Sequence, residues 1–329
     1  MRSYINIDSI DPKNAADIIS QEMKKQNALL DNIKNKITVQ NLKPNCSRKI
    51  FAVDSGLNIA YESPFTVIKS AVVDDEINVE ILKNLYLFHE NNYNSERLKR
   101  LLMQINLYQA INKKIENINE DSLFLVDGTI TLSVFSPTHK DSKEYQNLFS
   151  SFIEEIYKPL ISDCIDKDIL LLGFLKRTGS TLLSLSLNVK EIYDIYILNH
   201  FLKKNGDYIS PILIPNTSSS QWIDQVYVTF FLNLNDWNYR FELIEQQKNK
   251  YLECIENLLF WSTRTHFGMN PIFSKADEYS RVTKREAELL FNQIFSHLSD
   301  DKKAKFRIRA QKKTHFGFEF SDSYKKIMK

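Results

Sequence analysis

At 329 residues, 43% hydrophobic and 12% aromatic, the chain has ample material for one large core or two smaller ones. A net charge of +2 excludes a uniformly basic polyanion binder, and three widely spaced cysteines, Cys46, Cys164 and Cys254, exclude a disulfide framework and a zinc ribbon. No run reaches the roughly 18 apolar residues of a membrane span, and no apolar leader opens the chain, so a cytoplasmic protein without membrane association is expected.

In chain order, residues 12–40 open with Pro12 after Asp11, a helix-start arrangement, and carry Ile18, Ile19, Met23, Leu29, Leu30, Ile33 and Ile37 at helical spacing. This predicts a helix packed on the domain or on a partner subunit, and residues 1–45 read as an N-terminal helical extension. A connector (41–48) leads to β-prone runs ending at Asp54, over 57–61 and over 65–73, which predict an antiparallel meander. Residues 76–119 read as helical, with Ser95 capping a segment striped by Leu98, Leu101, Leu102, Ile105, Ala110 and Ile111. The apolar run 123–126 then predicts a strand buried on both faces, ending at Asp127-Gly128 before a second β-prone run. An amphipathic helix over 144–166 hands over to another buried strand, 169–175, which ends in Lys176-Arg177. Beyond it come helix (180–204), a polar loop (205–220), two strands joined at Asn235-Asp236, helix (248–264), a loop, and helix (275–298) restarted at Thr283. The order is that of an α/β layered domain over 46–300, followed by a basic segment, 301–329.

Two strands carry the chemistry. Asp127 and Asp54, the latter within AVDSG, each stand within two residues of a glycine at the end of a buried apolar run. A carboxylate placed there must be paired, hydrogen-bonded or bound to a cation. One reading of Asp127-Gly128 is a hairpin turn; the repetition of the pattern points instead to a shared cation site. Lys176 and Arg177 either hold a phosphate, neutralise the carboxylates or face solvent. The basic segment holds ten Lys/Arg against two acids over 302–329 and interleaves Arg307, Arg309, Lys312 and Lys313 with phenylalanines. That pattern suits backbone neutralisation with base stacking, and equally an amphipathic edge strand. His266, in the loop before the last helical segment, is the histidine that can approach the site. No P-loop pattern is present, so ATP-driven movement would need a partner.

AVDSG (52–56), LVDGTI (125–130), the strand into LKR (175–177), VYVTFFLNL with YRFELI, and NPIFSKADEYSRV (270–282) occur in an order that resembles nucleases of the NurA family, over about residues 50–290. The resemblance implies an RNase H-like mixed sheet flanked by helices. It implies a manganese- or magnesium-dependent DNA nuclease, acting 5′ to 3′ on ends and on single strands, in DNA end processing or defence against foreign DNA. It implies a homodimer working with the hexameric DNA translocase HerA. By the same resemblance Asp54 and Asp127 are metal ligands and Asp277 belongs to the catalytic set; the strand-tip cations add Lys176 to that set, and Arg177 and the basic segment are the expected DNA contacts. Asp277 stands where the final motif usually carries His.

Two departures stand out. The family's glutamate on the helix before the second Asp strand is lacking, and Asn106 stands at the matching distance, with Glu96 a further substitute. The Tyr-Pro near the last motif has no counterpart beside Asn270-Pro271. An amide can ligate through oxygen but brings no charge and cannot act as a base. Two other readings therefore stand beside an active nuclease: a catalytically weakened subunit that binds DNA or organises the ATPase, and another RNase H-like hydrolase or interaction module.

Overall fold

The computed structural model describes residues 12–59, 65–87, 95–118, 121–176, 180–189, 192–214, 225–262, 268–269 and 271–300. Arg177, His266, Arg307, Arg309, Lys312 and Lys313 lie outside the described residues. The strands are β1 (Val39–Asn41), β2 (Lys49–Ile59), β3 (Phe65–Asp74), β4 (Val79–Leu87), β5 (Ser122–Asp127), β6 (Leu170–Leu175), β7 (Asp207–Leu213), β8 (Tyr227–Leu234) and β9 (Trp237–Ile244). They form one sheet in the order β1-β7-β8-β9-β6-β5-β2-β3-β4. The sheet is mixed, with β5 and β6 parallel and β3 and β4 antiparallel. Three successive neighbours, β2 to β4, followed on the far side of β2 by the parallel pair, give the RNase H-like core order. No described helix is long and apolar enough to cross a membrane.

The chain divides into two compact units interleaved in sequence. The first comprises Met1–Ala52, Ile118–Ser136 and Ile161–Ser274. Its centre is β5 and β6, whose unbroken apolar runs are buried up to their last residues and pair in register from Leu123↔Leu170 to Asp127↔Phe174. Phe174, Phe241 and Phe230 stack in sequence with ring centroids 5.3 Å apart. Each such ring contributes roughly 1.5–3 kcal/mol through burial. The β8–β9 hairpin closes through Asn235 and Asp236, with φ of 48° and 74°. Both fall in the left-handed region that a two-residue hairpin turn of matching twist requires.

Helix α1 (Pro12–Ile33) packs Leu30 and Ile33 against Leu198, Ile197 and Phe231. Ile18 and Leu29 of the expected stripe face solvent instead. Residues 205–220, read as a loop, contain the strand β7. Pro211 misleads there because it lacks a donor, yet the β7–β8 register shifts between Ile209 and Ile212, an irregularity that accommodates a proline.

The second unit comprises Val53–Asn117, Pro137–Leu160 and Lys275–Lys329. Here the sequence reading of 76–119 as all helix is corrected, because β4 occupies its first part. Asp74 closes the β3–β4 turn, accepting from the Glu76 and Asn78 amides at 3.1 and 2.8 Å and from Asn78 Nδ2 at 3.1 Å. Helix α2 (Ser95–Ile115) packs Tyr108 against Phe152 and Tyr157. The helix α3 (Lys143–Phe152) runs through one π turn, Ile153–Tyr157, into α4 (Lys158–Asp166). Pro159 explains the turn, since it cannot donate to the carbonyl one turn back.

Two short helices, α5 (Leu182–Ser186) and α6 (Asp194–Phe201), and the longer α7 (Tyr251–Trp261) belong to the first unit. Chain order ends with α8 (Pro271–Ser280) and α9 (Lys284–Ser296). As expected, Thr283 caps α9, its side chain accepting from the Glu286 amide at 3.1 Å.

Candidate metal-binding site

In the first unit, Asp127 ends β5 with its side chain about a quarter exposed. The hairpin reading fails, because the chain stays on β6 for one more residue. Gly128, at φ 104°, donates its amide to the Phe174 carbonyl at 2.9 Å. The second β-prone run instead becomes a 3-10 turn, Leu132–Phe135, that buries Leu132 and Phe135. Lys176 leaves the end of β6 and sets Nζ 2.8 Å from Asp127 Oδ2 and 4.6 Å from the centre of the Phe273 ring. Of the three roles open to Lys176 in the sequence, the geometry supports neutralisation of a carboxylate.

Two residues that the sequence reading passed over, Glu242 and Arg240 on β9, form a buried ion pair in the same unit. Glu242 Oε2 accepts from Thr129 Oγ1, the Ile130 amide and Thr131. The available signal was YRFELI itself, in which two opposite charges occupy alternate positions, hence one face, of an otherwise apolar strand.

In the second unit, Asp54 lies within β2, 8% exposed, its Oδ1 accepting from the Ser55 amide at 2.6 Å. Gly56 lies against the end of α8, where a Cβ would stand 2.5 Å from the Ser280 carbonyl oxygen. Asn58 Nδ2 donates to the Val282 carbonyl at 2.9 Å. The first and last motifs of the sequence thus meet directly. Asp277, one helical turn before Ser280, pairs with Arg281 and is 39% exposed.

Asn106 is completely buried, and its amide is spent on other groups. Its Oδ1 accepts from Asn84 Nδ2 at 2.6 Å, while its Nδ2 donates to Ser70 Oγ at 2.6 Å and to the Leu82 carbonyl at 3.3 Å. Ser70 in turn donates to Ser55 Oγ at 3.0 Å. Adjacent side chains of a strand point to opposite faces, so Asn106 is linked to the face of β2 that Asp54 does not use. The described hydrogen bonds of Asn106 go to Asn84, Ser70 and Leu82 rather than to Asp54, and it reaches β2 through Ser70 and Ser55. Among the described residues, no three His, Cys, Asp or Glu side chains gather as a metal cluster. Burial pushes the Cys164 thiol up to about 12 and raises Cys254 likewise, so neither offers a thiolate at neutral pH.

Comparison with known proteins adds a family. The model of the NurA domain matches residues 48–282. Among solved structures, the NurA nuclease from Sulfolobus solfataricus superposes with a TM-score of 0.61 at 17% identity, over 89% of this chain and 98% of that one. A NurA bound to dAMP and manganese gives 0.60 at 12% identity, over 92% and 99% of the two chains. A NurA with manganese gives 0.56 at 12% identity, over 86% and 98%. At these identities the likeness shows the fold. No curated protein matches the chain.

Proposed function

The chain belongs to the NurA domain family, and from that membership we propose that it is a divalent-metal-dependent deoxyribonuclease using Mn²⁺ or Mg²⁺. The observation that carries the reading is Asp127 at the tip of β5, partly exposed and balanced by the Lys176 ammonium at 2.8 Å. A carboxylate in that position is open to a hard cation, and the oxygen donors here fit Mg²⁺ or Mn²⁺ rather than a thiophilic metal. In this reading Asp54 and Asp127 are the metal ligands, as the family resemblance implies for the two Asp motifs. Asn106 is not among them, being committed to Ser70, Asn84 and Leu82.

A bound divalent cation supplies a more acidic water and a sink for the charge on the leaving oxygen. The reaction makes a bond from water oxygen to phosphorus and breaks the bond to the bridging oxygen. Lys176, whose Nζ lies 2.8 Å from Asp127 Oδ2, would offer its ammonium to a phosphate oxygen held beside that carboxylate. Arg177, Arg307, Arg309, Lys312 and Lys313 would neutralise the DNA backbone. Asp277 sits in the last motif, whose Ser280 packs on Gly56 two residues after Asp54.

The finer reading follows the family: 5′ to 3′ exonuclease and single-strand endonuclease activity, a homodimer, and a HerA-type hexameric translocase as partner in DNA end processing or defence. The loss of the helix glutamate to a buried Asn106 favours a second reading, a weakened subunit that binds DNA or organises the ATPase. Incubation of the purified protein with end-labelled DNA in Mn²⁺, Mg²⁺ or EDTA decides between them. Metal-dependent cutting that disappears in Asp127→Asn supports the nuclease. Binding without cutting supports the weakened subunit, and neither binding nor cutting rejects both.

A further inference from the structure

The segment that leaves Asp127 is held by a single buried carboxylate. Glu242 is fully buried on β9, opposite Gly173 of β6. On its Oε2 converge Thr129 Oγ1 at 2.6 Å, the Ile130 amide at 3.0 Å, the Thr131 amide at 3.2 Å and Thr131 Oγ1 at 3.0 Å. Its Oε1 accepts from the Arg240 guanidinium, whose Nε donates to Thr229 Oγ1 at 3.2 Å. The held segment crosses β6 at Gly173, where a Cβ would come within 2.9 Å of the Ile130 amide nitrogen and 3.0 Å of the Gly128 oxygen. Gly173 and Glu242 together therefore seat the residues directly after Asp127.

Stability alone is a poor reason for this arrangement. A buried ion pair seldom improves on apolar residues of similar size, and Phe241, Leu243 and Ile244 of the same strand are apolar and buried. We propose that Glu242 is the positioning residue of Asp127. By fixing the backbone from Thr129 to Thr131, it sets where β5 ends and the direction in which the Asp127 carboxylate leaves it. Groups that orient a ligand in this way govern metal affinity without touching the metal. The inference rests on the reading of Asp127 as a metal ligand.

The test uses the full chain with Mn²⁺ as the probe, reading affinity by calorimetry and the Ile130 and Thr131 amides by hydrogen exchange. Glu242→Gln keeps the shape but confronts the threonine donors or Arg240 with an amide NH₂. It is expected to weaken Mn²⁺ binding about tenfold or more, the usual effect of losing an orienting group, and to speed exchange at Ile130 and Thr131. Thr131→Val removes one hydroxyl donor and is expected to shift both readouts the same way by less, which keeps the test open if Glu242→Gln does not fold. Faster exchange with Mn²⁺ affinity equal to wild type in the folded variants overturns the proposal and leaves Glu242 a structural residue. Wild type that binds no Mn²⁺, or Asp127→Asn that binds it as well as wild type, overturns the ligand role of Asp127 and the proposal with it. That failure is separately visible, because it does not involve Glu242.

Discussion

Lys176 and Asp127 meet at the tips of two parallel strands, Nζ to Oδ2 at 2.8 Å, with the ammonium also lying over the Phe273 ring. The lysine is the counter-ion of the carboxylate that we propose as a metal ligand. Replacing it by Met removes a competitor for any cation at Asp127. We expect Lys176→Met to tighten Mn²⁺ binding by up to about fivefold, the equivalent of a partly exposed ion pair of at most about 1 kcal/mol, and to slow cleavage. Calorimetry and a cleavage time course check the two effects, and weaker Mn²⁺ binding in the variant contradicts the competition.

Asp127→Asn and Asp54→Asn should each abolish metal-dependent cleavage while the protein stays folded. Asp127 contributes a partly exposed pair, so its loss should cost less than about 1 kcal/mol in urea unfolding. Asp54 keeps its acceptor for the Ser55 amide when an amide oxygen replaces the carboxylate oxygen. Cleavage at wild-type rate in either variant removes that residue from the site.

Asn106 is a structural residue in this chain, and restoring an acid there should not restore a ligand. In Asn106→Ala the groups of Ser70, Asn84 and Leu82 lose their partner, which should cost about 2 kcal/mol. Asn106→Glu buries a longer, charged side chain in a fully enclosed position and should cost more, without tighter Mn²⁺ binding. Denaturant midpoints and metal titration give the two numbers, and a Glu variant that binds Mn²⁺ more tightly overturns this assignment.

Arg48 ties together three parts of the first unit. Its Nε donates to Glu253 Oε1 at 2.6 Å and its Nη2 to Asp168 Oδ2 at 3.0 Å, at the point where Asp168 turns the chain with φ 56°. Burial by itself would raise the Asp168 carboxyl, but hydrogen bonds from Lys250 and Arg48 outweigh it and hold the group below its ordinary value. A depressed carboxyl stabilises the fold above its unfolded pKa, and that contribution fades as the pH falls through the folded value. Arg48→Met should therefore cost about 2 kcal/mol at neutral pH, and the gap from wild type should narrow below the ordinary carboxyl pKa of 3.8. Urea unfolding across that range tests it; a gap independent of pH assigns the loss to packing alone.

Gly56→Ala forces a methyl to within 2.5 Å of the Ser280 carbonyl, a backbone atom with little room to yield. Overpacking of this kind costs about 1–3 kcal/mol, and the strain falls between the Asp54 strand and the helix of Asp277. We expect a lower melting temperature. An unchanged midpoint would mean that the end of α8 shifts freely.

Much of the architecture was legible in the residues themselves. The runs of β5 and β6 announce strands buried on both faces, Asn235-Asp236 announces the hairpin, and Thr283 with Glu286 announces the start of α9. The motif order from AVDSG to SKADEYSRV carries the family, because each of these signals is local and survives in a linear reading. The strand β4 was hidden because its exposed edge position leaves an irregular apolar pattern, and β7 because Pro211 mimics a loop until a register shift admits it. Only the tertiary structure decided the rest: that Lys176 closes on Asp127, that Glu242 is buried beneath the segment after it, and that Asn106 serves Ser70 and Asn84 instead of Asp54. Each of these depends on a partner between 22 and 113 positions away. Sequence by itself determined which acids the chain possesses and where its most apolar strands run. Which side chains those acids meet was settled by long-range packing, because hydrogen bonds and burial act through space and leave no periodic mark along the chain.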